Sequence, residues 1–134
     1  MPNSRPEIGS PEEWLRHAQS DLNLARLASH RPDVLPEQAC FHAQQAAEKA
    51  LKAALLHRRI DFPFTHDIEE LLELAERGGL ALPPAVAQSG ALTSYAVETR
   101  YPSSLEDIDP VQVDEAIRTA EHVVQWAAAM LGGD

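Results

Sequence analysis

Apolar residues recur at helical spacing along almost the whole chain. Trp14, Ala18, Leu22, Ala25 and Ala28 follow one another at intervals of four, four, three and three, which puts them on a single stripe of 3.6-residue period. Ser10-Pro11-Glu12-Glu13 ahead of the stripe reads as a helix start: a hydroxyl N-cap, proline at the first helical position and Glu three residues after the cap. Arg31-Pro32-Asp33 closes that helix. A second helix is predicted from Pro36 to Arg59, with Ala39, Ala43, Ala46, Ala47, Ala50, Leu51, Ala54 and Leu55 on its apolar side. The segment holds seven alanines. They favour helix and keep the side chains thin, so a neighbouring helix can approach closely; this is the pattern of a central helix. Asp61-Phe62-Pro63-Phe64 interrupts it, because proline cannot sit in a helix interior.

Thr65 offers an N-cap for a third helix, His66 to Arg77, with Asp67, Glu69 and Glu70 at its positive end and Ile68, Leu71, Leu72 and Ala75 facing inward. Gly78-Gly79 supplies a left-handed C-terminal cap. A shorter fourth helix is expected from about Pro84 to Val97. Asp109-Pro110 then repeats the cap-then-proline start, and Val113, Ile117, Ala120, Val124 and Ala127 line a last helix to Leu131, ended by Gly132-Gly133. No segment alternates long enough to be a strand. The expected fold is all-α, an up-and-down bundle of four to five helices. Residues 1–9 are expected to be a disordered tail and 10–134 a single domain.

Composition narrows the function. A length of 134 residues with 44% hydrophobic content suits one core and is too short for two. There is no run of 18 apolar residues, so no membrane contact is expected. The polar start, with Pro2 and Pro6, has no secretory apolar stretch. The lone Cys40 excludes an intrachain disulfide framework and a cysteine-based zinc site, and a reducing cytoplasm is the expected setting. Net charge is −10, which opposes nucleic acid as a global partner. It leaves room for a local basic site: Lys49, Lys52, Arg58 and Arg59 fall within eleven residues.

Six histidines are present, at 17, 30, 42, 57, 66 and 122, yet none forms His-x-x-x-His or Glu-x-x-His. The carboxylate and Glu-x-x-His pattern of a di-iron bundle is missing, so no metal is expected. Phosphate-cradling glycine loops, dinucleotide fingerprints and Gly-x-Ser-x-Gly are all absent, and no cofactor is expected. Cys40, beside Phe41 on an alanine-rich helix, reads as a buried structural thiol.

Three features carry chemistry. Gln45, Lys49 and Lys52 stand at i, i+4 and i+7 on one face of the second helix, and Glu48 to Lys52 is an i, i+4 pair. This set is either a solvated stripe or a ligand or partner surface. His66-Asp67 opens the third helix, where backbone N–H groups can meet an anion or can simply be capped by Thr65 or Asp67. Arg100-Tyr101-Pro102, with Tyr95 nearby, presents a guanidinium on stiffened backbone, suited to phosphate or carboxylate or to an ordinary ion pair with Glu98 or Glu106.

Taken together, Trp14-Leu15 with Ala18 and Asp21-Leu22, the run Phe41-His42-Ala43-Gln44-Gln45-Ala46-Ala47-Glu48-Lys49-Ala50-Leu51-Lys52-Ala53, Thr65-His66-Asp67-Ile68 and Thr99-Arg100-Tyr101-Pro102 resemble the HEPN domain (higher eukaryotes and prokaryotes nucleotide-binding). The likeness spans about residues 11–131. It implies a helical bundle that forms a homodimer, involvement with nucleotides or RNA, and partnership with a minimal nucleotidyltransferase in toxin–antitoxin-like pairs. The polar residues it carries over are Gln45, Glu48, Lys49, His66, Arg100 and Tyr101.

Ribonuclease members of the wider superfamily carry an arginine followed, after four to six residues, by a histidine. Beyond Arg100 the corresponding positions are Leu105, Glu106 and Asp107. Arg59 and His66 have the spacing but Pro63 lies between them, while Arg26/His30 and Arg118/His122 are one residue too close. The leading expectation is therefore a non-catalytic module with a nucleotide- or phosphate-binding cleft built from Lys49, His66 and Arg100 and oriented by Gln45 and Glu48. The alternatives are a metal-independent endoribonuclease using His66 and Arg100, and a purely structural dimeric adaptor.

Overall fold

The computed structural model describes residues 9–96 and 108–133, and among them there are helices and no strand. Helix α1 spans Pro11–Ser29, α2 Pro36–His57, α3 Ile68–Arg77, α4 Pro84–Ala87 and α5 Pro110–Gly133, with a 3₁₀ stretch Gln88–Tyr95 running on from α4. The chain is all-α, as its periodicity predicts.

The start of α1 is the reciprocal cap that its sequence spells. Glu13 N–H donates to Ser10 Oγ at 3.0 Å and Ser10 N–H donates to Glu13 Oε1 at 2.9 Å. Helix α2 is the centre of the bundle, packed against α1, α5, α3 and the 3₁₀ stretch. Its alanines at 39, 43, 46, 47, 50, 53 and 54 are fully buried, and close approach of α1 and α5 is what small side chains permit. Ser29, Pro36 and Pro110 line one cavity of about 250 Å³, so α1 ends where α2 and α5 begin. The chain leaving α2 returns through α3 and the 3₁₀ stretch, which meets the first turns of α5: Leu92 and Tyr95 share a cleft with Gln112 and Ala116.

Four boundaries differ from the sequence expectation. Helix α2 stops at His57, two residues early, because Arg59 turns left-handed at φ 60°. Ile60 N–H then donates to Leu55 O and Arg59 N–H to Leu56 O, the paired bonds that close a helix C-terminus. Helix α3 begins at Ile68 and not His66. Asp67 is the N-cap, accepting from Glu69 N–H at 3.0 Å, and Thr65 Oγ1 accepts from Asp67 N–H. Its other end matches expectation, with Gly79 at φ 94° and Leu80 N–H donating to Ala75 O. The fourth helix is only one turn of α before it tightens to 3₁₀. Ser89 and Ser94 hydroxyls donate to the Val86 and Ala91 carbonyls, and Gly90 weakens the regular helix further. Val97, at its expected end, lies outside the described residues. Helix α5 continues through Gly132 to Gly133, past the expected stop at Leu131.

No helix among the described residues is long and apolar enough to cross a membrane.

Candidate functional site

The polar residues of α2 are not a solvated stripe. Gln44, Glu48 and Lys52, one turn apart, are 0%, 2% and 1% exposed. They form one continuous network. Gln44 Nε2 donates to Glu48 Oε1 at 3.0 Å, Lys52 Nζ donates to Glu48 Oε2 at 3.0 Å, and Gln45 Nε2 donates to Gln44 Oε1 at 2.8 Å. Buried charge is tolerable only when paired and hydrogen-bonded, and here both oxygens of the carboxylate are engaged. The Lys52 ammonium also lies 5.3 Å from the Trp14 ring centroid, 5.9 Å from that of Phe62 and 6.0 Å from that of Phe64. Ring faces stabilise a desolvated cation, so α1 and the α2–α3 connection complete its surroundings.

His66 reaches this network from the α2–α3 connection. Its Nδ1 lies 3.0 Å from Glu48 Oε2, while the side chain remains 45% exposed. Phe64 packs edge-on against the imidazole with centroids 5.4 Å apart. The left-handed turn at Arg59 and the break at Pro63 direct the chain back over α2 and bring His66 there.

Lys49 points elsewhere. Its Nζ donates to Asp21 Oδ2 on α1 at 2.7 Å, and His42 Nδ1 lies 3.2 Å from Asp21 Oδ1. Lys49 and His66 are thus bound to different carboxylates. Arg100 and Tyr101 lie outside the described residues, so the expected meeting of Lys49, His66 and Arg100 rests on no observed contact. The start of α3 is no open anion site either. Ile68 N–H donates to Thr93 Oγ1 at 3.1 Å and Glu69 N–H to Asp67, which takes up the first amides. Among the described residues no group of His, Cys, Asp and Glu is arranged to hold a metal. Cys40 is buried.

Of the residues singled out in the sequence, Gln45, Glu48 and His66 join one network and Lys49 its neighbour. Lys52, which the sequence places on one face with Gln45 and Lys49, joins the network too, together with Gln44, while Asp21, His42 and Trp14 around it were not singled out as site residues. Gln44 and Lys52 had a signal, since each stands four residues from Glu48 on the same face. Asp21 and Trp14 had none beyond the shared resemblance, because their roles arise only when α1 packs on α2.

The family model of the HEPN domain matches residues 11–130. The chain belongs to the HEPN domain family. Two solved structures agree with this. TT1696 from Thermus thermophilus superposes with a TM-score of 0.73 at 26% identity, covering 92% of this chain and 99% of that one. ST0689, an archaeal HEPN homologue, superposes with a TM-score of 0.67 at 28% identity, covering 91% of this chain and 98% of that one. No curated protein matches the sequence. In this HEPN domain the motif run of α2 therefore forms a buried hub around Glu48, with His42 and Lys49 on α2 partly exposed and His66 half exposed beside it.

Proposed function

We propose that this HEPN domain is a non-catalytic interaction module that forms a homodimer and pairs with a minimal nucleotidyltransferase in a toxin–antitoxin-like couple. The observation that supports this reading is the distribution of exposed apolar side chains. Five large apolar side chains are exposed among the described residues. Phe64, 63% exposed, packs against His66, while Leu24 and Leu27 on α1, Leu35 just ahead of α2 and Val111 in the first turn of α5 are 44%, 66%, 61% and 62% exposed. The last four gather toward the end of the bundle where α1 finishes and α2 and α5 start. A concentration of large apolar side chains on one part of the surface marks a protein contact more often than a small-molecule site. The cations fit the same reading. Lys49 and Lys52 are neutralised by Asp21 and Glu48, and that weakens their pull on a phosphate.

Within this reading, Gln45, Lys49 and His66, together with Arg100 and Tyr101, are the proposed contact set for a nucleotide, and the buried Glu48 orients His66 from beneath. The test is co-expression with a minimal nucleotidyltransferase as the proposed partner, followed by size-exclusion chromatography with light scattering. Titration with ATP, GTP and AMP by calorimetry, for wild type and Arg100→Ala, reads the nucleotide component separately. A stable complex that is lost in Leu27→Asp or Val111→Asp supports the module. A monomer that neither pairs nor takes up nucleotide contradicts it.

One observation favours the second reading, a metal-independent endoribonuclease. A buried carboxylate at 3.0 Å from Nδ1 fixes the tautomer of a half-exposed imidazole, and His66 Nε2 has no bonding partner among the described residues. That arrangement suits a general acid–base. EDTA-insensitive RNA cleavage that is lost in His66→Ala and kept in His17→Ala is the outcome belonging to this reading. Arg100 would then stabilise the charge of the phosphorane.

A further inference from the structure

The apolar side chains exposed at the end of the bundle surround a hollow. The cavity of about 250 Å³ where α1 finishes and α2 and α5 start is lined by Ala28, Val34, Pro36, Ile108 and Val113. Val113 belongs to the core and Ala28 and Ile108 pack against it, so the fold itself fixes the lining. Leu27, Leu35 and Val111 each adjoin a lining residue in the chain and are well exposed. The volume falls below the roughly 300–1,000 Å³ of small-molecule sites and suits one large side chain, the anchor of a protein contact. Charge at the rim decides what kind of chain can supply it. Arg31 is the one cation lining the hollow among the described residues, and it is committed to Asp33: its Nε and Nη2 donate to the two carboxylate oxygens at 3.0 and 2.9 Å. Asp114 lines the hollow as well, and Glu37 follows Pro36 in the first turn of α2; neither has an ion-pair partner among the described residues. Asp109 stands between Ile108 and Pro110. With Arg31 and Asp33 cancelling, the rim is acidic. A second copy would bring the same carboxylates across the contact on a chain of net charge −10, and like charges oppose that.

We infer that this hollow is the socket for a basic amphipathic segment of a partner protein. One large aliphatic or aromatic side chain of the segment enters it, and Leu27, Leu35 and Val111 pack around that anchor. Lysine or arginine side chains flanking the anchor face Asp114 and Glu37, where they meet opposite charge. The inference rests on the reading of this end as a protein contact and adds the chemistry of its occupant. It assigns the contact between two copies of the chain to another face.

The test is titration of the full ¹⁵N-labelled chain with a short helical peptide of leucine and lysine, and with its leucine–glutamate counterpart. The expected result is a saturable shift of the Ala28, Val34 and Val113 amide signals with the leucine–lysine peptide, and binding of the glutamate peptide about tenfold weaker or more. Raising the salt from about 0.05 to about 0.5 M is expected to weaken the first peptide about tenfold. Glu69, Glu73 and Glu76 on α3 are exposed carboxylates far from the hollow in sequence, and their unmoved signals control for charge alone. Asp114→Lys, which reverses the rim, and Leu27→Ser, which removes an apolar wall, are each expected to weaken binding about tenfold. Equal response to the two peptides, shifts on α3 as large as those at the hollow, or unchanged binding in Asp114→Lys overturns the inference. So does a homodimer that dissociates in Leu27→Ser by light scattering, because a second copy would then occupy this end. Shifts confined to the hollow in a chain that forms no complex with a minimal nucleotidyltransferase uphold the socket and count against the pairing proposed above.

Discussion

Glu48 and Lys52, one helical turn apart in the middle of α2, form a 3.0 Å ion pair with side chains only 3% and 1% exposed. A pair so deeply placed is a strong constraint on what its neighbours can be. Removing one partner leaves a bare charge in the core, and Glu48→Ala is expected to cost about 3–5 kcal/mol. Replacing both partners with apolar residues of similar size, Glu48→Met with Lys52→Met, is expected to recover most of that loss. Denaturant melts of the two single variants and the double variant check the coupling. Equal and additive losses would mean that the two groups do not depend on each other.

His66 holds the outer edge of the same carboxylate and is half exposed. Glu48 keeps Gln44 and Lys52 when the imidazole is removed. His66→Ala is therefore expected to lower stability by only about 1 kcal/mol, in the range of one net hydrogen bond. Chemical denaturation is the measurement. A loss as large as that of Glu48→Ala would show the imidazole to be part of the core.

Arg59 stands in left-handed backbone at φ 60°, at the position that follows the last residues of α2. A side chain there costs about 1–2 kcal/mol relative to glycine, partly offset by the chain entropy that glycine adds to the unfolded state. Arg59→Gly is expected to stabilise the fold by roughly 0.5–1 kcal/mol, equivalent to a melting temperature about 2–4 °C higher. Calorimetry decides this. A drop in the midpoint would mean that the guanidinium contributes more than the backbone strain removes.

Ser10 completes a reciprocal cap with Glu13. Ser10→Ala is expected to lose about 1 kcal/mol, and Ser10→Asp to lose little, because an aspartate accepts from the same amide. Thermal melts of the pair separate loss of the cap from loss of the side chain as such.

Much of the fold was legible because its signals are local. The Ser10–Glu13 cap, the apolar stripe of α1, the run of small residues in α2 and the glycine that ends α3 each follow from a few adjacent residues. The short α4 misled, since an apolar stretch with Pro84 at its head looks helical, while Ser89, Gly90 and Ser94 act on the backbone through individual hydrogen bonds. The site was harder to read. Gln45, Glu48, Lys49 and His66 stood out as polar residues in an apolar pattern, but their surroundings depend on packing between elements far apart in sequence. Asp21 claims Lys49, and Trp14 with Phe62 encloses Lys52, only once α1 and the α2–α3 connection lie against α2. Spacing placed Lys49 and Lys52 on one face; it did not reveal that one faces Asp21 and the other is sealed in the interior.

The central claim, that this HEPN domain works by pairing and not by cleaving, is tested most directly by one comparison. Wild type, His66→Ala and Leu27→Asp are each co-expressed with a minimal nucleotidyltransferase as the proposed partner, sized by light scattering, and incubated with RNA in the presence of EDTA. The account predicts a complex for wild type and His66→Ala, its loss in Leu27→Asp, and intact RNA throughout. RNA cleavage by wild type that vanishes in His66→Ala, with no complex formed, would contradict it.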